Sequence, residues 1–252
     1  MLLSGTAVAG GLVKAIRADG AQFQVTFSDG KVLTSRELVR AELEMTIAGR
    51  DIRLRIDKVG SDPAAPGILL HEFSVRQPDG GWKNLCRKDS AGRSAGFPLA
   101  GRSRGNGTLD TSDPTAFELA CTSGAQAKCA RYGYLPWSSA PDGSPLLQAF
   151  NACVLMLRAD YAGGNAPATR DGTKIDIGDR WNIQALDAHG GRFEAGWDAA
   201  GAVCVHHPRI GENMTLEKLE AGIPRLKGRT GPACTPELAR QVVALIFNRS
   251  KR

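Results

Sequence analysis

Residues 153–164 read Cys153-Val154-Leu155-Met156-Leu157-Arg158-Ala159-Asp160-Tyr161-Ala162-Gly163-Gly164, an apolar run that ends in a polar, glycine-rich turn. The run belongs to a longer pattern in which large side chains recur three or four residues apart: Leu146, Phe150, Cys153, Val154, Leu157 and Tyr161. This spacing places them on one face of a helix. With Ser144 as N-cap and Pro145 at the first helical position, the pattern predicts a helix over residues 144–161. A buried helix that opens into a polar turn is a place where a scaffold can present side chains to a ligand.

The N-terminal third alternates polar and apolar residues in the manner of antiparallel strands. Strands are expected at residues 22–27, 31–34, 42–47, 52–59 and 69–75, separated by turn signals such as Asp29-Gly30. They predict an antiparallel sheet with one solvated face. The segment 87–113, rich in Gly, Ser and Arg, is expected to be a long loop that is either functional or mobile.

The rest of the chain mixes both element types. Strands are expected at 117–121, 174–177 and 202–206, and helices at 124–132, at 215–221 and after Thr235-Pro236-Glu237, where the last helix carries Leu238, Val242, Val243, Leu245 and Ile246. The predicted class is α+β, with an antiparallel, β-rich N-terminal part packed with a helix-containing, disulfide-stapled C-terminal part. We expect a β-rich subdomain over 1–66 and the main α+β domain over 67–252, together forming one compact unit.

Composition limits the possible functions. The chain has 252 residues, 42% hydrophobic and 23% charged, and a net charge of +6. These are globular values, and no apolar run approaches the ~18 residues that a membrane span needs. The modest, dispersed positive charge predicts at most weak affinity for anionic surfaces and no specific nucleic-acid partner. Residues 1–9 lack a basic n-region and an apolar h-region, so they are not expected to be a signal peptide.

The cysteines indicate a compartment. The chain has six of them: Cys86, Cys121, Cys129, Cys153, Cys204 and Cys234. None forms a C-x-x-C pair, which argues against a zinc site and against a thioredoxin-type redox pair. An even number fits three disulfides, although about 15 pairings are possible. The alternative is six buried thiols in a cytosolic protein. Disulfides favour an oxidising compartment, and we expect a periplasmic or secreted protein whose leader is not part of this chain.

Local motifs offer little catalytic chemistry. Gly92-Arg93-Ser94-Ala95-Gly96 matches the serine-hydrolase elbow, but that elbow needs a helix directly after it, and Phe97-Pro98 does not start one cleanly. The arginines of the same segment (Arg87, Arg93, Arg102 and Arg104) favour a solvated loop, with anion binding as a weaker alternative. No P-loop, dinucleotide fingerprint or H-E-x-x-H motif is present, and no cofactor is expected.

Metal binding is not expected either. In Cys204-Val205-His206-His207, a strand would point Cys204 and His206 to one side and His207 to the other, so only two ligands could converge. Asp171, Asp176 and Asp179 do not have the ligand order of an EF-hand, and turn-forming roles explain them better.

A resemblance to a known family rests on the opening stretch. Arg158-Ala159-Asp160-Tyr161, the preceding Phe150-Asn151-Ala152-Cys153 and the following Arg170-Asp171-Gly172-Thr173 resemble the bacterial ADYC-domain family, named for an Ala-Asp-Tyr-Cys motif. Further similarities are Phe117–Cys121, Ala127–Trp137 and Ala202–Val205, so the resemblance covers roughly residues 67–240. The family is largely uncharacterised in activity. Its members are typically exported, which the resemblance therefore implies for this chain.

The motif cysteine is replaced here by Ala162. One hypothesis is a binding or structural module of unknown ligand or protein partner. The other is an inactive version of a cysteine-dependent hydrolase or transferase with its nucleophile position at Ala162. The second hypothesis predicts a site with Asp160, Tyr161 and His207 near the nucleophile position, with Arg158, Arg170 and Asp171 as ligand-binding residues. For Asp160 and Tyr161, a capping role and a place on the apolar helix face are the plainer interpretations.

Overall fold

The structure is a computed structural model that describes residues 12–47, 49–187 and 190–251. The predictions made for residues 1–9 lie outside these ranges. The chain divides into two compact units, one over residues 1–102 and 110–128 and the other over 103–109 and 129–252. The boundary expected at residue 66 falls within the first unit, between two paired strands, and stays a prediction. Among the described residues, no helix has the length and apolar character needed to cross a bilayer.

The first unit is built from antiparallel strands. A three-stranded sheet has the order β1-β2-β3, and a larger, six-stranded sheet has the order β11-β8-β6-β5-β4, with β7 also pairing with β6. A short 3₁₀ helix, Ser35–Leu38, follows β3. The strands are β1 Val13–Asp19, β2 Gln22–Phe27, β3 Val32–Thr34, β4 Glu42–Ile47, β5 Arg50–Ser61, β6 Leu69–Arg76, β7 Trp82–Asn84, β8 Gly96–Ala100 and β11 Phe117–Cys121. Two short strands, β9 Arg102–Ser103 and β10 Leu109–Asp110, pair with each other, and each includes residues of both units.

The core of the first unit follows from alternation along β2. Phe23, Val25 and Phe27 point inward from β2 and pack with Leu54, Ile56 and Phe73 of the larger sheet. His71 lies inside the same core, its ring stacked on Phe73 at 5.3 Å and edge-on to Phe23 at 5.6 Å. The unit therefore has the solvated outer face and apolar inner face predicted from its period-two pattern.

The second unit combines helices with a four-stranded antiparallel sheet of order β12-β15-β13-β14. Helix α2 and helix α4 both contact β13. The elements that complete the chain are α1 Ala125–Arg131, α2 Leu146–Arg158, β12 Ile175–Asp179, β13 Arg192–Asp198, β14 Gly201–Val205, α3 Leu216–Gly222, α4 Pro236–Gln241 and β15 Ile246–Ser250. The α+β class is confirmed.

Three predicted elements differ from the structure. Helix α2 begins at Leu146 and ends at Arg158 rather than spanning 144–161; Ser144 is not its N-cap, because its hydroxyl bonds Asp142. The segment 87–113 is not one loop, since it contains the buried strand β8. The last helix stops at Gln241, and Ile246 starts a strand instead.

The six cysteines form three disulfides, as their even number predicted. The pairs are Cys86–Cys121, Cys129–Cys153 and Cys204–Cys234, and no cysteine remains free. Each bridge joins two cysteines that follow one another in the sequence order of the cysteines, and each lies within one unit. Cys129–Cys153 ties α1 to α2, and Cys204–Cys234 ties β14 to the turn before α4. A bridge of this kind restricts the unfolded chain and stabilises the fold.

Candidate functional site

The turn after α2 begins at Ala159. This residue adopts a left-handed conformation (φ 49°, ψ 40°), in which its N–H donates to Met156 O at 3.0 Å and the next N–H, of Asp160, donates to Leu155 O at 2.9 Å. The pattern is a Schellman motif, which normally has glycine at this position. Ala159 is fully buried, so a small side chain is needed there.

Asp160 closes the turn that follows. Its carboxylate is buried, and Oδ2 accepts a hydrogen bond of 2.8 Å from the Asn165 N–H. Its carbonyl accepts from the Gly163 N–H at 3.0 Å. Arg158 supports the same turn by donating to Asn165 Oδ1 at 2.6 Å. Asp160 is thus a capping residue, the plainer of the two roles expected from the sequence.

Tyr161 joins the turn to the sheet. Its hydroxyl donates to Glu194 Oε1 at 3.1 Å and accepts from the Arg209 N–H at 2.8 Å, while its ring stacks on Trp197 at 5.1 Å. Its carbonyl accepts from the Ala202 N–H at 2.9 Å. Burial, together with the nearby carboxylate of Glu194, raises the pKa of the Tyr161 hydroxyl well above its usual range. A hydroxyl that stays protonated and has both of its hydrogen-bonding functions engaged is a structural group.

A buried ion pair between Glu194 and Arg209 contacts the Tyr161 hydroxyl. The Arg209 guanidinium makes a bidentate contact with Glu194, with Nε–Oε2 and Nη2–Oε1 both at 3.0 Å, and each side chain is almost fully buried. The same guanidinium donates to the Leu157 carbonyl at 3.1 Å and to the Met156 carbonyl at 2.8 Å, which also accepts from the Ala159 N–H where α2 ends. Arg209 therefore caps α2 and neutralises Glu194 at once.

Gly163 and Gly201 allow the turn to approach the sheet closely. A Cβ on Gly163 would lie 2.3 Å from Ala200 O, and one on Gly201 would lie 2.5 Å from Tyr161 O. Both glycines also have left-handed φ values, 68° and 128°. The turn beside Ala162 thus tolerates no side chain at these two positions.

A family model described as the ADYC domain matches residues 35–211. The chain belongs to the ADYC-domain family. The match begins before the region expected from the sequence and takes in strands of the first unit. Neither the curated proteins nor the solved structures include a match to this chain.

In this ADYC domain, the residues predicted to form a site occupy two kinds of environment. Ala162, Arg170 and Asp171 are exposed, and Arg170 pairs at 3.7 Å with Glu212, which is exposed too. Asp160 and Tyr161 are buried, as is His207, whose Nε2 lies 3.2 Å from Ser250 Oγ. Their proposed catalytic and ligand-binding roles stay predictions.

Sequence reasoning missed Glu194, Arg209 and Trp197. A charged residue in an isolated sequence is most simply interpreted as solvated, and these charges are separated from Tyr161 by more than thirty residues, namely 33 for Glu194 and 48 for Arg209. The only local signal is that Glu194 and Trp197 lie in the Phe193-Glu194-Ala195-Gly196-Trp197 segment, whose apolar character was not interpreted as a strand.

The other motifs have structural partners. Cys204 is in a disulfide, His206 Nδ1 lies 3.1 Å from Cys234 O, and no group of metal-ligand type forms in the described ranges. Ser94 is followed by strand β8 instead of a helix. Arg93 pairs with Asp62 and Asp89, at 3.4 and 3.3 Å, and Arg102 pairs with Asp113 at 3.0 Å. Two of the positive side chains in the 87–104 segment, Arg93 and Arg102, are thus neutralised locally.

Among the open clefts that the described residues form, one in each unit is a candidate ligand site. The first, of about 710 Å³, is lined by residues of β4 and β11, the terminal strands of the larger sheet, among them Met45, Thr46 and Leu119. The second, of about 560 Å³, lies between the segment after β12 and the turn joining α4 to β15, with Leu186, Val243 and Phe247 among its lining residues.

Proposed function

We propose that this ADYC-domain protein is an exported, disulfide-stapled binding module that lacks a catalytic nucleophile. The observation that carries the proposal is the engagement of Tyr161: its hydroxyl bonds Glu194 and the Arg209 backbone, and its ring is covered by Trp197. A side chain held in this way contributes to folding and is not presented to a substrate.

The proposed location in the periplasm or outside the cell is supported by the three disulfides. Structural disulfides persist in oxidising compartments and are rare where glutathione and thioredoxin keep thiols reduced. The paired cysteines are separated by 24, 30 and 35 positions in the sequence. Each such bridge is expected to stabilise the fold by about 2–4 kcal/mol.

The competing hypothesis places a lost nucleophile at Ala162. A reactive cysteine needs a lowered pKa, which comes from a helix N-terminus, a nearby cation or a general base. Position 162 follows the C-terminal end of α2 instead, and it is exposed. The binding-module proposal therefore expects a cysteine placed there to behave like cysteine in solution.

The test is the substitution Ala162→Cys, with the labelling rate by iodoacetamide measured between pH 6 and 10. We expect a thiol pKa of about 8.5 and a rate like that of free cysteine. The matched control is Ala166→Cys, which places a thiol at an exposed position in the same turn. A pKa at least two units lower for the Ala162→Cys thiol than for the control thiol would overturn the proposal and support the inactivated-enzyme hypothesis.

A further inference from the structure

Helix α4 ends in a Schellman motif, as α2 does, but the left-handed position is occupied by Val243, a residue type that rarely adopts this backbone conformation. The Val243 N–H donates to Arg240 O at 3.1 Å, the Ala244 N–H donates to Ala239 O at 2.9 Å, and Val243 has a left-handed φ of 63°. Glycine is the usual residue at this position, and a β-branched residue there is a genuine outlier. Outliers of this kind tend to persist where the side chain has a function.

The Val243 side chain is not held in place by burial. Val243 is 58% exposed, one of few large apolar residues with that much exposure among those described. It lines the 560 Å³ cleft of the second unit, together with Leu186, Ala244 and Phe247. A strained and exposed valine thus adds apolar surface to one wall of a concave site.

The same cleft carries positive charge. Arg180 and Arg240 line it, and the Arg240 guanidinium lies 5.6 Å from the centre of the Phe247 ring. The nearest ion-pair partner found for Arg240 is Glu237, at 4.0 Å, and both side chains are more than half exposed. An exposed pair at that distance is weak, so the guanidinium is available to an anionic ligand.

Among the described residues that line the cleft, the one carboxylate is that of Asp179, and it is already engaged. Its Oδ1 accepts from the N–H groups of Trp181 and Ile183, and its Oδ2 accepts from the Gln184 N–H and the Tyr134 hydroxyl, at distances of 2.6–3.1 Å. Asp179 therefore organises the loop that forms one wall of the cleft. The charge left for a ligand to meet is that of the two arginines.

We propose that this cleft binds a small amphipathic anion, with a carboxylate head group at Arg180 and Arg240 and an apolar chain along Val243 and Leu186. The inference rests on the proposed function and names the ligand class of the binding module. Guanidinium groups recognise carboxylates through charge-assisted hydrogen bonds, and an apolar wall beside them selects a ligand with a hydrocarbon body.

The experiment measures displacement of 8-anilinonaphthalene-1-sulfonate from the folded, oxidised protein by dodecanoate, with 1-dodecanol as the uncharged comparison. We expect saturable displacement by dodecanoate and at least tenfold weaker competition by the alcohol. Arg180→Gln and Arg240→Gln should each weaken dodecanoate binding by roughly tenfold, which corresponds to one charge-assisted contact. Arg192→Gln, which removes the same charge from an exposed position outside the cleft, should leave the affinity unchanged.

Val243→Gly gives the sharpest comparison, because stability and affinity should move in opposite directions. Removing the left-handed valine should raise the Tm by about 2–4 °C, while loss of its apolar contact should weaken dodecanoate binding several-fold. The control is Ala159→Gly, the same kind of change at the end of α2, which should not alter binding.

Three results would overturn the inference: no saturable binding to the wild-type protein, equal losses in Arg192→Gln and the cleft arginine variants, or a Val243→Gly protein with unchanged affinity. None of them bears on the reactivity of a thiol at position 162, so failure of this inference is distinguishable from failure of the proposed function.

Discussion

At the scale of single residues, the motif residues of this protein are engaged in contacts within the fold. Ala159 supplies a small residue for the left-handed end of α2, Asp160 closes the next turn, and Tyr161 connects that turn to Glu194 and Arg209. Ala159, Asp160 and Tyr161 are themselves buried, while the position of the missing cysteine is exposed. The motif therefore identifies the fold of the second unit more directly than it identifies a reaction.

His71 makes the stability of the first unit depend on pH. Burial among Phe23 and Phe73 lowers the pKa of its imidazole to about 4, against about 6.5 in an unfolded chain. Between pH 4 and pH 6.5 the imidazole is protonated in the unfolded state and neutral in the folded state. The contribution of this group to the free energy of unfolding is therefore complete above pH 6.5 and decreases as the pH falls toward 4. The expected loss over this window is about 3 kcal/mol.

The measurement is urea unfolding at pH 7 and at pH 4.5. In His71→Gln, the part of the pH dependence due to this group should disappear, even if the variant is less stable at pH 7. An unchanged difference between the two pH values in His71→Gln would contradict the assignment.

At the scale of elements, segments with a strong hydrophobic periodicity were predicted correctly from the sequence, and segments of mixed composition were not. The strands β2 and β4 alternate cleanly and were predicted, as were β6 and the helix α3. Strand β8 was missed because its five residues include Gly96 and Pro98, which are typical of loops. Its position inside a sheet depends on pairing with β6 and β11, which are distant in sequence.

The ends of α2 and α4 show the same limit. Nothing in the sequence predicts a left-handed residue at Ala159 or Val243, since neither is glycine. Apolar residues continue past both ends, so the helical pattern extends further than the helices do. The ion pair of Glu194 with Arg209 was unpredictable for a related reason: the carboxylate and the guanidinium meet only after β13 and the turn beyond β14 are in place.

Strand β8 can be tested by truncation of Leu99, which is fully buried. Leu99→Ala should lower the free energy of unfolding by about 2–5 kcal/mol, because it leaves a cavity in the core. The control is Val32→Ala on β3, where the side chain is 43% exposed and the expected change is within about 0.5 kcal/mol. Equal small effects at both positions would mean that 96–100 behaves as the loop first expected from its composition.

At the scale of the whole molecule, the chain is two compact units with disulfides in each. One bridge belongs to the β-rich first unit and two belong to the second, which contains the motif. The number of bridges was predictable from the cysteine count, whereas the pairing was not, because any pairing requires knowing which elements meet.

Intact mass after alkylation under denaturing, non-reducing conditions tests the bridges. We expect no added mass before reduction and six alkyl groups after it, since all six cysteines are paired. Reduction should also lower the Tm sharply. Six groups added before reduction would indicate a protein made in a reducing compartment and would contradict the proposed export.

The most direct test of the central claim, that the motif residues maintain the fold, is urea unfolding of Tyr161→Phe. The substitution keeps the ring on Trp197 but removes the hydroxyl that donates to Glu194 and accepts from the buried Arg209 N–H, which then has no acceptor. We expect a loss of about 1–3 kcal/mol, against about 0.5 kcal/mol or less for Tyr132→Phe, whose side chain is only partly buried. A Tyr161→Phe protein that is as stable as the wild type, or more stable, would contradict the account. Substitution of a residue that serves function at the expense of stability often gives that result.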